Sequence, residues 1–177
     1  SDDMQGRLQA GRHVSSASDA GFELTEQIEK QAVSEIAYGC TTGLRALDDL
    51  LGALLPGDLI IVAGRPGMGK SVLGTHFSKV AAQSGWSADY WSLEMPARQL
   101  AARFMADLDY DRSIEEQRKA LLYSNLVKLR ADQADLQHAA EAAVALKDLD
   151  ITIFDAETVT IEHIGGVSRA RAAATKK

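Results

Sequence analysis

Cysteine is almost missing: Cys40 stands alone among 177 residues. No internal disulfide is therefore available to brace the fold, and the usage suits a reducing, cytoplasmic setting. Long apolar runs are missing too. The most apolar segment, Leu59–Ala63, falls far short of the ~20 residues a membrane-spanning helix requires, and the N-terminal residues have no apolar stretch of signal-peptide type. Positive charge is short: 19 Lys and Arg face 25 Asp and Glu, a formal net charge of -6. That balance excludes a protein whose whole surface tracks nucleic-acid phosphates. Internal repeats and low-complexity tracts are absent as well. What is present is globular: 46% hydrophobic and 25% charged residues, a composition that builds a packed core. The length suits one domain, with or without an appended arm.

Residues 1–20 are polar and rich in small residues, including Gly6, Gly11, Ser15, Ser16 and Ser18. Such a stretch buries too little apolar surface to offset its ordering entropy and is expected to be a disordered arm. Leu24, Ile28, Ala32 or Val33, and Ile36 then recur at helical spacing, which predicts an amphipathic helix from Thr25 through Ala37. With three basic and seven acidic residues over 1–39, this region is suited to packing on protein rather than gripping DNA. Thr42–Gly52 reads as a short helix stopped by its glycine. After the Pro56-Gly57 turn, Leu59–Ala63 is a continuous aliphatic run of the kind found in strands covered on both faces, and is expected to be a buried parallel strand.

A helix is expected over Val72–Ala82, a strand over Ala88–Leu93, and a helix opened by Pro96 with Leu100, Ala101, Phe104 and Met105 on one face. Ser113-Ile-Glu-Glu116 fits a capping box that would start a new helix. Helical pattern continues to about Leu146 with a break near Ala131–Ala134. A third strand spans Asp150–Asp155, and Thr158–Ala174 reads as a helix interrupted at Gly165-Gly166. The alternation of strands and helices predicts an open α/β sheet.

The strongest chemical signal is Gly64-Arg65-Pro66-Gly67-Met68-Gly69-Lys70-Ser71, which satisfies each position of a phosphate-binding P-loop between a strand and a helix. Glycines let the backbone close around phosphate oxygens, and the amides and helix N-terminus converge on one anion. Lys70 is then expected to reach β and γ phosphates, and Ser71 to ligate Mg²⁺. Glu94, at the carboxyl end of the next strand, either orients a water that attacks the γ phosphate or caps the helix beginning at Pro96. Asp155 ends an apolar strand in the manner of a Mg²⁺-supporting Walker B aspartate, but the pattern is weak and is more often produced by a turn or helix cap. His76 and His138 lack zinc-ligand spacing and read as surface or packing residues. Trp86 and Trp91 read as packing, and Arg103, Arg169 and Arg171 as solvated helix faces or as contacts to phosphate or a partner.

Taken together, Thr42–Leu50, Asp58–Ser71, Ser92-Leu-Glu-Met95, Gln99-Leu100 and Arg103 resemble the C-terminal RecA-like motor domain of bacterial replicative DNA helicases of the DnaB type. The resemblance covers residues 24–172. It implies a RecA-like P-loop NTPase core with an incomplete, mostly parallel sheet flanked by helices, arranged as an arm (1–20), a linker-type helix (21–39) and the N-terminal part of the NTPase domain (40–177). It implies ATP and Mg²⁺ as ligands, Lys70 and Glu94 as catalytic residues, and a helix from Thr25 that docks on a neighbouring subunit of a hexameric ring. In the longer relatives, hydrolysis would drive unwinding of DNA at replication forks.

The resemblance also places Asp155 before the family's Walker B strand, so that this strand, the DNA-binding loops and the arginine finger are expected to be lacking. Such a fragment would bind nucleotide with hydrolysis close to background. Its Ile151–Asp155 strand would take the vacant slot beside the P-loop strand, or strands would pair with another copy. Two further readings stand beside the motor: a different RecA-like ATPase, and a non-enzymatic partner that modulates a helicase ring through the apolar stripe of its first helix.

Overall fold

The computed structural model describes residues 16–33 and 39–175, which fall in two units divided between positions 38 and 39. In the first unit, helix α1 spans Ala17–Ala32. It starts earlier than the apolar spacing indicated, because Ser16 Oγ accepts from Asp19 N at 3.1 Å and caps the first turn. Residues 17–20, expected to belong to the arm, are therefore helical; residues 1–15 and 34–38, including Ile36, lie outside the described residues.

The second unit opens with an isolated antiparallel bridge between Cys40 and Leu54. This closes a loop around the short helix α2, Arg45–Leu51, which ends at Gly52 with φ of 73°. Thr42, 1% exposed, donates both its amide and its hydroxyl to Asp48 Oδ1 at 2.7 and 2.8 Å. Helix α3 (Lys70–Gln83), strand β1 (Ala88–Ser92), helix α4 (Ala97–Glu115), helix α5 (Tyr123–Val127), helix α6 (Gln133–Lys147), strand β2 (Ile151–Asp155) and helix α7 (Ile161–Thr175) follow. The two strands pair in parallel, with Tyr90 opposite Ile153 and Ser92 opposite Asp155.

Side chains alternate across this sheet and set its two coverings. On one face Tyr90 meets Phe104 of α4 edge-on at 6.1 Å, and α3 comes so close at Gly74 that a Cβ there would sit 3.2 Å from Tyr90 Oη. On the other face Trp91 stacks on Phe154 at 4.1 Å and meets His163 of α7 at 5.6 Å. Arg171 of α7 pairs with Asp89 at 2.7 Å. Helix α4 is the central core element: Leu100 and Phe104 are fully buried, Leu108 is 7% exposed, and Ala142 of α6 and Leu121 complete the cluster. Removing Leu100 or Phe104 from water contributes roughly 1.5–3 kcal/mol each.

Four expectations are corrected. Leu59–Ala63 is not a buried strand: it has no ladder partner among the described residues, and Leu59 and Ile61 are 86% and 81% exposed. An aliphatic run supplies the propensity for a strand, but the strand itself needs a neighbour to receive its amides and carbonyls. Ile151–Asp155 does not take the position beside that segment: its ladder partner among the described residues is β1, in a two-stranded sheet. No helix begins at Ser113; α4 runs through it, and Ser113 Oγ donates to Tyr110 O at 2.7 Å, since the apolar stripe of Leu100, Phe104 and Leu108 carries the helix onward. Gly165-Gly166 does not interrupt α7; two glycines cost about 1 kcal/mol each in a helix, which the docking of α7 on the sheet outweighs.

Candidate nucleotide site

The turn joining Gly64 to α3 is shaped by glycine. Gly67 and Gly69 adopt φ of 79° and 89°, in the left-handed region that costs a residue with a Cβ about 1–2 kcal/mol. Met68 N donates to Arg65 O at 3.2 Å and tightens the loop. Lys70 folds back across it, its Nζ donating to Gly64 O at 3.0 Å and Arg65 O at 3.2 Å. The ammonium is thus held against the loop's own carbonyls. Ser71 is the second residue of that helix.

Across from the loop stands the end of β1. Ser92, 8% exposed, closes the next turn with its own side chain: Oγ donates to Met95 O at 2.7 Å and accepts from Met95 N at 3.0 Å. That turn carries Glu94, exposed at the carboxyl end of the strand. A cleft of about 370 Å³ lies between the two, lined by Pro66, Gly67, Gly69, Lys70 and Ser71 on one side and Glu94, Met95 and Arg103 on the other. Its polar groups are an ammonium, a guanidinium, a hydroxyl and a carboxylate. The cations and helix amides suit phosphate, and the oxygen donors suit a hard cation such as Mg²⁺ that keeps much of its shell on water and phosphate. No cluster of three or more His, Cys, Asp or Glu residues stands ready for a metal among the described residues.

Arg103, which the sequence left open between a solvated helix face and a contact to phosphate or a partner, lines this cleft. Its Nε is buried and donates to nothing among the described residues, while its guanidinium carbon lies 4.4 Å from the centroid of the Tyr123 ring. Burial pushes the nearby Tyr90 hydroxyl up, against the pull of the Arg103 charge. Spacing alone could not decide its place, because an Arg on a helix that borders a site looks like any other helical Arg.

The remaining residues are placed differently. Asp155 Oδ2 accepts from Ala97 N at 2.7 Å and so caps α4; it lines an adjoining cleft of about 200 Å³ that shares Glu94 and Met95 with the first but not Lys70 or Ser71. Met68 is 71% exposed and does not line the phosphate cleft. His76 sits 3.3 Å from Asp107, and His138 3.3 Å from Arg118, so both are packing residues inside ion-pair groups.

Residues 39–177 match the DnaB-like helicase C terminal domain family. The chain is 32% identical over 136 residues to the replicative DNA helicase DnaB of Mycoplasma pneumoniae, covering 71% of this chain and 26% of that protein. It is 25% identical over 157 residues to the replicative DNA helicase DnaB of Helicobacter pylori, covering 89% of this chain and 30% of that protein. The chain therefore spans less than a third of these curated relatives. Among solved structures, one ATPase domain superposes with a TM-score of 0.70 at 18% identity, over 92% of this chain and 54% of that one. A DnaB-like replicative helicase studied with primase superposes with a TM-score of 0.64 at 18% identity, over 97% of this chain and 39% of that one. The fold is that of a RecA-like helicase ATPase domain, present here as a small parallel sheet among helices.

Proposed function

The chain belongs to the DnaB-like helicase C-terminal domain family, and from that membership we propose that residues 39–177 form the nucleotide-binding part of a replicative helicase motor, taking ATP in the cleft between the P-loop and Glu94. The observation that carries this reading is the juxtaposition in one cleft of Lys70 and Ser71 with Glu94 and Arg103. The loop amides and Lys70 hold the β phosphate. Arg103 and Lys70 flank the terminal phosphate from opposite walls and offset the charge that spreads over it during transfer. Glu94, presented by the Ser92 turn, orients the attacking water. Bound Mg²⁺, with Ser71 Oγ as its protein ligand, supplies neutralisation of the phosphate charge. Unwinding of DNA and assembly into a ring are proposed for a longer protein that carries such a motor part.

Helix α1 supports the assembly part of the reading. Leu24 and Ile28, one turn apart on the same side of the helix, are 56% and 60% exposed, an apolar stripe of the kind that packs on protein. The same face keeps open a second reading, a non-enzymatic modulator that binds a helicase subunit through this helix.

Calorimetric titration with ATP in Mg²⁺, paired with a steady-state hydrolysis assay, tests the proposal. Saturable binding is expected, with turnover near background. An absence of binding contradicts it, and turnover at an ordinary enzyme rate contradicts the expectation of hydrolysis near background.

A further inference from the structure

Arg103 does not reach the cleft as a free side chain. Its guanidinium lies on the Tyr123 ring, 4.4 Å from the centroid. Tyr123 is the first residue of α5 and does not itself line the phosphate cleft. Helix α5 has only five residues, too few to hold its own position by backbone bonds, so its placement depends on what ties down its two ends.

Both ends are tied. On the N-terminal side, Asp109 of α4 is 1% exposed. It receives Arg118 Nη2 at 2.7 Å on Oδ1, and Arg118 Nη1 at 3.2 Å and Leu121 N at 2.6 Å on Oδ2. Leu121, 3% exposed, is buried beside it. Within α5, Asn125 Nδ2 donates to Asp135 Oδ2 of α6 at 2.9 Å, and Asp135 is itself 6% exposed. Helix α4 therefore carries both Arg103 and the carboxylate that anchors the segment bringing Tyr123 to it.

We propose that Tyr123 is a positioning residue for Arg103: its ring fixes the plane of the guanidinium so that the N–H groups point at the terminal phosphate of a nucleoside triphosphate and set the preference for triphosphate over diphosphate. The inference rests on the reading of the cleft as a nucleoside triphosphate site. Stacking leaves the edge of a guanidinium free while occupying its face, so a stacked arginine still donates in its own plane to phosphate oxygens. An arginine held in that way has already lost the rotamer freedom that phosphate binding would otherwise remove. The β phosphate is wrapped by loop amides whether or not a further phosphate follows it. Arg103, on the opposite wall with Glu94, meets the group that projects beyond. Loss of the ring therefore weakens the triphosphate selectively.

The test measures affinities of fluorescent ATP and ADP analogues in Mg²⁺ for the whole chain and for Arg103→Ala, Tyr123→Ala and Tyr123→Phe, with circular dichroism confirming that each variant folds. Arg103→Ala is expected to collapse the ATP-over-ADP preference. Tyr123→Ala is expected to reduce that preference about three- to tenfold, with Tyr123→Phe, which keeps a ring face, within about twofold of the parent. If Arg103→Ala lowers the preference while Tyr123→Ala leaves it unchanged, or if Tyr123→Phe loses as much as Tyr123→Ala, the positioning role is overturned and the site reading stands. If Arg103→Ala has no effect on the preference, or the parent chain binds neither analogue, the site reading falls and this inference falls with it.

Discussion

Asp109 and Arg118 form a two-armed ion pair, Nη2 to Oδ1 at 2.7 Å and Nη1 to Oδ2 at 3.2 Å, with the carboxylate 1% exposed and the guanidinium still partly open to water. Two charged groups nine residues apart thereby close the turn that links α4 to α5. The pair matters to the cleft because that turn carries Tyr123.

Burial alone would raise the Asp109 carboxyl, but hydrogen bonds from Arg118 and Leu121 N, with the charges of Arg118 and His138, outweigh it and hold the group below the usual carboxylate range. A depressed folded-state value contributes stability that is present above the ordinary value near 4 and lost as pH falls through the lower folded value. Asp109→Asn is expected to cost about 2–4 kcal/mol at pH 7. In urea denaturation from pH 7 down to pH 3, the gap between parent and variant should narrow only in the acid limb. A gap that stays constant to pH 3 contradicts the ion-pair account.

Lys79 of α3 is 1% exposed and lies between two carboxylates of α4, 2.9 Å from Asp107 and 2.7 Å from Asp111. Lys79→Met keeps the side-chain volume but leaves the two carboxylates facing each other without their cation. Both are partly solvated, which limits the loss to about 1–3 kcal/mol. Chemical denaturation measures it, and Lys79→Arg should recover part of it. Unchanged stability in Lys79→Met would show that the cluster contributes nothing net.

Gly69 has φ of 89° and nothing within 4 Å of where a Cβ would stand. Gly69→Ala therefore meets no clash, and its cost is backbone strain alone, about 1–2 kcal/mol. Because the strain falls on the P-loop, nucleotide affinity is expected to drop about fivefold to thirtyfold, while the helical circular dichroism signal stays that of the parent. Unaltered affinity would mean that the loop binds in some other backbone conformation.

Glu94 is the carboxylate placed across the cleft from Ser71. In a longer protein that hydrolyses ATP, Glu94→Gln is expected to leave nucleotide affinity within a few-fold and to lower turnover about 10²- to 10⁴-fold, the range of a lost general base. Turnover measured under saturating ATP checks this. Full activity in the variant would move the water-orienting role to another residue.

The motif Gly64–Ser71 was legible as a motif because it is written in consecutive residues, and β1, α3, β2 and the start of α4 followed from local pattern, whereas the run of α4 through Ser113 did not. Leu59–Ala63 was misread for the opposite reason: an aliphatic run reports what a segment prefers, whereas strand formation depends on a neighbour that spacing does not specify. Arg103 over Tyr123 and Asp109 with Arg118 were invisible in the sequence because each pair spans a turn whose path is set by Gln117 at φ of 51°. Helical periodicity says nothing about such a turn. Asp155, at a strand end, reads as a turn or cap residue ahead of a Walker B aspartate, and its Oδ2 accepts from Ala97 N at 2.7 Å at the start of α4.

Every role proposed for the cleft depends on whether the loop, with Lys70 drawn across Gly64 O and Arg65 O, is a formed phosphate site. Equilibrium binding of a fluorescent ATP analogue with Mg²⁺, compared between the parent chain and Lys70→Ala, measures this directly. A formed site predicts saturable binding that weakens by about tenfold to a hundredfold in the variant, the loss of a charge-assisted contact. Binding that is equal in both, or absent from both, contradicts it.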